Sequence, residues 1–108
     1  MQPRIQPIWQ PSQEAIEQAQ ITQFARHAVR KHKLDFNTYP EFYQWTVDNP
    51  ELFWSEVWDW CGVRASRKGS TVVVDGDKMP GAHWYPEARL NFAENLLRRG
   101  DRGDALVF

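Results

Sequence analysis

Two prolines, at 40 and 50, constrain this chain more than any other feature, because each fixes a helix boundary. Proline lacks a backbone N–H and pushes the preceding residue out of helical geometry, so it suits a first turn and little else in a helix. Thr38-Tyr39-Pro40-Glu41 therefore reads as a helix start: a capping Thr, Pro in the first turn, and Glu where its carboxylate can reach back. This helix, expected over 39–48 with Phe42, Tyr43 and Trp45 along it, must stop by Asn49. Asn49-Pro50-Glu51 then opens the next, over 50–61, and Gly62 closes it. The middle of the chain is limited to short helices that must bury apolar faces against one another.

The helix over 50–61 is apolar on two sides. Phe53, Val57, Trp60 and Cys61 make one face, Trp54 and Trp58 a second, with Glu51, Ser55, Glu56 and Asp59 between. Both faces require cover. The first places Cys61 as a buried structural thiol, and the carboxylates Glu56 and Asp59 are expected on the solvated side, with nothing to make them an acid–base pair.

Upstream, Ser12 caps a helix expected over 12–32, with Thr22 as a second possible start. Ile16, Ile21, Phe24, Ala25 and Ala28 form its apolar stripe. Arg26, Arg30, Lys31 and Lys33, with His27 and His32, form a basic cluster that suits a helix C-terminus and a solvated face. Residues 1–11, with three prolines, read as an extended arm. Downstream, Thr71–Val74 is a β-branched run between Gly69 and Gly76, giving one strand near 71–75. A lone strand cannot satisfy its edges. The run Ala105–Phe108 is its expected partner, or else a segment outside this sequence.

Between these runs, Pro80, Gly81 and Pro86 set a rigid loop displaying Trp84 and Tyr85. Asn91 and Glu94 then cap a fourth helix over 91–99, with Arg98 and Arg99 complementing its dipole and Gly100 suited to a left-handed close. The fold class expected is mainly α: three to four short helices with a minor strand.

Composition excludes several functions. The net charge is −1, without a basic face of the kind that holds nucleic acid. No apolar run spans a membrane, no leader is recognisable, and one cysteine cannot make an internal disulfide, so a cytoplasmic protein is expected. His27, His32, His83 and Cys61 lack metal-ligand spacing, and Gly100-Asp101-Arg102-Gly103 is no phosphate loop. No residue presents itself as catalytic, cofactor-binding or metal-binding. What remains unusual is six tryptophans among fifteen aromatic residues, which implies a dense aromatic core or an aromatic surface.

Pro80-Gly81-Ala82-x-Trp84-Tyr85-Pro86-x-Ala88-Arg89-Leu90-Asn91-Phe92-Ala93-Glu94-Asn95-Leu96-Leu97 is similar to the N-terminal region of acetoacetyl-CoA synthetases, in the acetyl-CoA synthetase branch of the adenylate-forming enzymes. Phe53-Trp54-x-x-Val57-Trp58-Asp59-Trp60-Cys61-Gly62-Val63 resembles a second segment of the same enzymes. The resemblance implies a piece of a longer ligase. Its parts would be an arm over 1–11, a helical N-terminal domain over 12–100, and the start of an adenylating domain over 101–108. It implies ATP, Mg²⁺ and CoA for the parent, with none of them bound by this segment. The implied partner is the remainder of the ligase, with Trp54, Trp58, Trp84, Tyr85, Arg89 and Phe92 as interdomain packing residues. Arg89 is implied either as a structural anchor or as a neighbour of ligand phosphates. Acetoacetate is the implied acid, with acetate or propionate as alternatives. A free-standing Trp-rich interaction module is the competing expectation from another class.

Overall fold

The computed structural model describes residues 3–107, which form five helices and a two-stranded sheet in two compact units, one ending at Val47 and the other beginning at Asp48. The protein is mainly helical, as expected, with one more helix than expected.

The extra helix arises in the first unit, where the span 12–32 divides into α1 (Gln13–Gln18) and α2 (Gln20–His32) at Ala19, whose backbone is extended. Polar side chains explain the break by supplying donors to carbonyls that a continuous helix would pair. Ile16 O accepts from the Ala19 N–H and the Thr22 hydroxyl, and Glu17 O accepts from Gln23 Nε2 at 3.0 Å. Arg26 then ion-pairs with Glu17 across the break and holds its carboxyl below the usual glutamate range. Ser12 caps α1 as expected, its Oγ accepting from the Ala15 N–H. Lys33, left-handed at φ 53°, closes α2, and His32 packs on Trp45 instead of standing in the solvated basic cluster.

α3 (Tyr39–Asp48) starts at the reciprocal cap: Glu41 Oε2 accepts from the Asn37 N–H at 2.8 Å and the Thr38 N–H at 3.0 Å. These donors, Asn37 first, hold the Glu41 carboxyl below its ordinary range. The core of the unit is aromatic. Phe24 and Ala28 of α2 and Phe42 and Trp45 of α3 are buried; Phe42 meets Phe24 edge-on at 6.0 Å and stacks on Trp45 at 6.2 Å. Phe36, in the connector, touches both Phe42 and Trp45. Ile16 and Ile21 lie off this core and are exposed.

In the second unit, α4 (Pro50–Trp60) ends one residue short of the expected 61 and is closed by Gly62 as expected. Gly62 is left-handed at φ 61°, its N–H bonds Asp59 O at 3.2 Å, and the Val63 N–H bonds Trp58 O at 3.1 Å. Both bonds satisfy carbonyls that the helix end would otherwise leave open. Two expectations for α4 fail. Cys61 is exposed, because it lies one residue beyond the helix and turns with the cap. Glu56 is buried at 3% exposure, because its place three residues after Phe53 and four before Trp60 puts it on their side of the helix. Asp59 stays outside with Lys68, so the two carboxylates do not converge.

The strand expected near 71–75 shrinks to β1 (Val73–Val74) and pairs locally with β2 (His83–Trp84), antiparallel, Val73 opposite Trp84 and Val74 opposite His83. The connection over 75–82 opens on a turn: Asp75 is left-handed at φ 55°, its carbonyl accepts from the Lys78 N–H, and its carboxylate meets Lys78 Nζ at 3.3 Å. The expected partner run forms no strand over 105–107, and Phe108 lies outside the described residues. α5 (Phe92–Leu96) is shorter than the expected 91–99, and Gly100 takes no left-handed conformation. None of its residues is buried, and a helix this short cannot hold itself by propensity alone.

Replacing Trp45 by Ala should cost about 3–5 kcal/mol of stability by urea denaturation, whereas exposed Tyr43→Ala should stay within about 0.5 kcal/mol. Equal losses would show that the aromatic cluster is not the core of the first unit.

Candidate docking surface

In the second unit, the segment carrying most of the expected packing residues is pinned by its backbone. Arg89 and Arg67 form an isolated antiparallel bridge: the Arg89 N–H bonds Arg67 O at 2.8 Å, and Arg89 O accepts from the N–H groups of Ser66 and Arg67 and from the Ser66 hydroxyl. Arg89 is thus an anchor through its main chain, while its guanidinium is exposed and has no partner among the described residues. Two residues earlier, Glu87 closes the facing turn. Its Oε1 accepts from the Thr71 N–H at 3.0 Å and the Ser70 N–H at 3.3 Å, and its Oε2 lies 3.5 Å from Arg67. Hydrogen bonds from Thr71, then Ser70, hold this carboxyl below its ordinary range. Gly69 sits beneath it at φ 81°, where an added Cβ would fall 2.5 Å from the Glu87 Cβ.

The aromatic residues pair across this unit. Trp54 meets Trp84 edge-on at 6.0 Å, and both keep 44% of their surface exposed. Trp58 packs on Tyr85 at 4.7 Å, with Lys68 Nζ 5.6 Å from the indole centroid. Tyr85 is therefore folded inward at φ 45° instead of being displayed, and its hydroxyl is buried with no hydrogen-bond partner among the described residues. Burial, and secondarily the charge of Asp59, raises the pKa of that hydroxyl.

α5 is held against the end of α4 by two polar side chains. Asn95 uses its whole amide: Oδ1 accepts from the Arg64 N–H at 2.7 Å and from Arg98 Nη2 at 3.0 Å, while Nδ2 donates to Arg64 O and Asn91 O. Arg98 donates from Nη1 to Cys61 O and Gly62 O, and from Nε to Asn95 O. The expected cap at Asn91 is present, its Oδ1 accepting from the Glu94 N–H. So held, α5 leaves an apolar ridge in the open: Phe92 is 77% exposed, Leu96 66% and Leu97 74%, with Leu90 beside them.

The six residues singled out in the sequence thus divide. Trp58 and Tyr85 pack on each other, Trp54 and Trp84 pair while half in solvent, and Arg89 and Phe92 project without cover. Glu87 and Asn95 carried no signal in the sequence for their long-range bonds, which reach backbone groups of Thr71 and Arg64 more than fifteen residues away. Arg98 was legible only as a dipole complement. Among the described residues no group of three or more His, Cys, Asp or Glu could hold a metal ion, and no helix is long and apolar enough to cross a membrane. A groove of about 550 Å³ opens over the first unit, lined by Ile16, Ile21, Val29, Phe36 and Arg30 among others.

Residues 39–96, spanning Pro40, α4, the Arg67–Arg89 bridge and α5, match the family described as acetyl-coenzyme A synthetase N-terminus, and the chain belongs to that family. The acetoacetyl-coenzyme A synthetase of Rhizobium meliloti is 41% identical over 102 residues, covering 94% of this chain and 16% of that protein. The malonamoyl-CoA synthetase of Penicillium aethiopicum is 37% identical over 83% of this chain and 12% of its own length. Among solved structures, the acetoacetyl-CoA synthetase from Streptomyces lividans superposes with a TM-score of 0.79 at 41% identity, over 87% of this chain and 15% of that one. The chain thus spans about a sixth or less of the relatives that it matches.

Two predictions follow from the Glu87 and Tyr85 geometry. A carboxylate with a lowered folded pKa stabilises above its unfolded pKa, about 4.3 for glutamate, and loses that contribution as pH falls through the folded value. The Thr71 amide should therefore lose exchange protection in the wild type as pH falls below the ordinary glutamate range, and Glu87→Gln should show no such step; a flat wild-type profile would contradict the assignment. Tyr85→Phe removes an unpartnered buried hydroxyl and should leave stability unchanged or raise it by about 1 kcal/mol, measured by denaturant midpoint. A clear loss would reveal a partner for that hydroxyl.

Proposed function

We propose that this chain is the N-terminal docking segment of an ATP-dependent acetoacetate–CoA ligase and supplies no catalytic group. The parent reaction is acid plus ATP plus CoA to acyl-CoA plus AMP plus pyrophosphate. The carboxylate of the acid attacks the α-phosphorus of ATP and expels pyrophosphate, and the CoA thiol then displaces AMP from the acyl-adenylate. ATP, Mg²⁺ and CoA belong, in this reading, to the rest of the ligase. The observation that carries it is the α5 ridge: three large apolar side chains held in the open by a fully used asparagine amide and an arginine, in a segment matching the start of much longer synthetases. A ridge fixed so firmly and left uncovered is suited to a protein surface.

The acid is read from the relatives. The acyl groups named for them, acetoacetyl and malonamoyl, both carry a carbonyl β to the activated carboxyl, which favours acetoacetate over acetate or propionate. The exposed Trp54–Trp84 pair supports the second reading, a free-standing aromatic module for another protein.

One experiment separates them. The chain is mixed with a separately expressed remainder of the ligase, with association followed by calorimetry and turnover by acetoacetate-dependent pyrophosphate release. The docking reading expects no pyrophosphate from the chain alone, association on mixing, and activity raised by it. Pyrophosphate release by the chain alone, or a fully active remainder that does not bind it, would overturn the reading.

A further inference from the structure

The Arg67–Arg89 bridge opposes two like charges. Directly paired residues on an antiparallel bridge hold their Cβ atoms roughly 5 Å apart on one face, and like charges so placed repel. The repulsion is built in, since three backbone hydrogen bonds and the Ser66 hydroxyl fix Arg89 opposite Arg67. Among the described residues only Arg67 of the two is relieved, by Glu87 at 3.5 Å. Glu87 Oε2 faces Arg67, and its Oε1 accepts from the Ser70 and Thr71 N–H groups. Arg89 is left with an exposed guanidinium, on a rigid backbone, immediately before the Leu90–Leu97 ridge. An apolar ridge with an uncompensated cation at its start selects a partner surface that is apolar and carries a carboxylate at the matching edge.

We propose that Arg89 is the charged anchor of the docking face, and that its guanidinium takes a carboxylate of the ligase's own adenylating body where that body covers the α5 ridge. This rests on the docking reading above, and its occupant is the large part of the relatives' length that lies outside this chain. Arginine fits the task because its planar fork binds a carboxylate through two parallel N–H groups, which lysine cannot reproduce. A phosphate-bearing ligand is the other anion that such a fork would accept.

The test is hydrogen exchange of residues 64–97 in the full-length ligase carrying this segment and in the present chain, for the wild type, Arg89→Ala, Arg89→Lys and Phe92→Ala, at low and high salt. Expected is at least tenfold stronger protection around Arg89–Leu97 in the full-length protein. Most of that gain should be lost in Arg89→Ala and partly restored in Arg89→Lys, and it should weaken with salt in the wild type but not in Arg89→Ala. The Arg89→Ala chain by itself should melt no lower than the wild type, since a repulsion has been removed, which separates a lost contact from a lost fold. Protection unchanged in Arg89→Ala but lost in Phe92→Ala would overturn the anchor and leave the docking reading standing. Equal protection in the two wild-type proteins would overturn both. Protection that appears only on adding CoA would overturn the carboxylate assignment in favour of a phosphate.

Discussion

The second unit depends on how the C-terminus of α4 is closed. A helix end leaves its last carbonyls without intrahelical donors, and those groups must find partners. Gly62 and Val63 take two, at Asp59 and Trp58, by turning the chain left-handed. The carbonyls of Cys61 and Gly62 then face outward, and Arg98 takes both, 36 and 37 residues further along. One arginine thereby joins the end of α4 to the end of α5, and Asn95 repeats the link through the Arg64 peptide. α5 needs this, for it has five residues and buries none of them.

The same arrangement explains why the exposed side chains form one surface instead of a frayed tail. Backbone bonds to Arg64, Ser66 and Arg67 hold the segment from Arg89 to Asn95 at both ends. Glu87, seated over Gly69, fixes the facing turn. Rigid placement lowers the ordering cost of binding, so a pinned ridge of Phe92, Leu96 and Leu97 is a better docking element than a mobile one. Trp58 and Tyr85 pack on each other, tilted by 37°, with Lys68 over the indole, in the same unit.

The helices were legible because their signals are local. Pro40, Pro50, Gly62 and the caps at Ser12, Glu41 and Asn91 act within four residues of themselves, and each does so in the structure. The break at Ala19 was half visible, at Thr22, but the donors that cause it are side chains bonding six residues back. Cys61 and Glu56 were misplaced by treating the α4 faces as ideal stripes, without the turn of the cap or the place of Glu56 between Phe53 and Trp60. The strand pairing was misjudged because β2, His83–Trp84, is two residues inside the loop set by Pro80, Gly81 and Pro86 and carries no β-branched run. Of the surface residues, Phe92 and Arg89 were legible from their place in the motif. The bonds of Asn95 to Arg64 and of Glu87 to Thr71 were not, since nothing in a sequence announces a side chain that reaches a remote backbone group.

The most direct measurement is native-state amide exchange on the double variant Asn95→Ala/Arg98→Ala, read at Leu97, whose N–H bonds Ala93 O, and at Cys61, whose N–H bonds Val57 O. If the α4 end holds α5, the Leu97 amide should exchange at the rate of an unstructured chain while the Cys61 amide keeps its protection. A Leu97 amide that stays protected in the variant would show that α5 stands without the clasp, and would contradict the account.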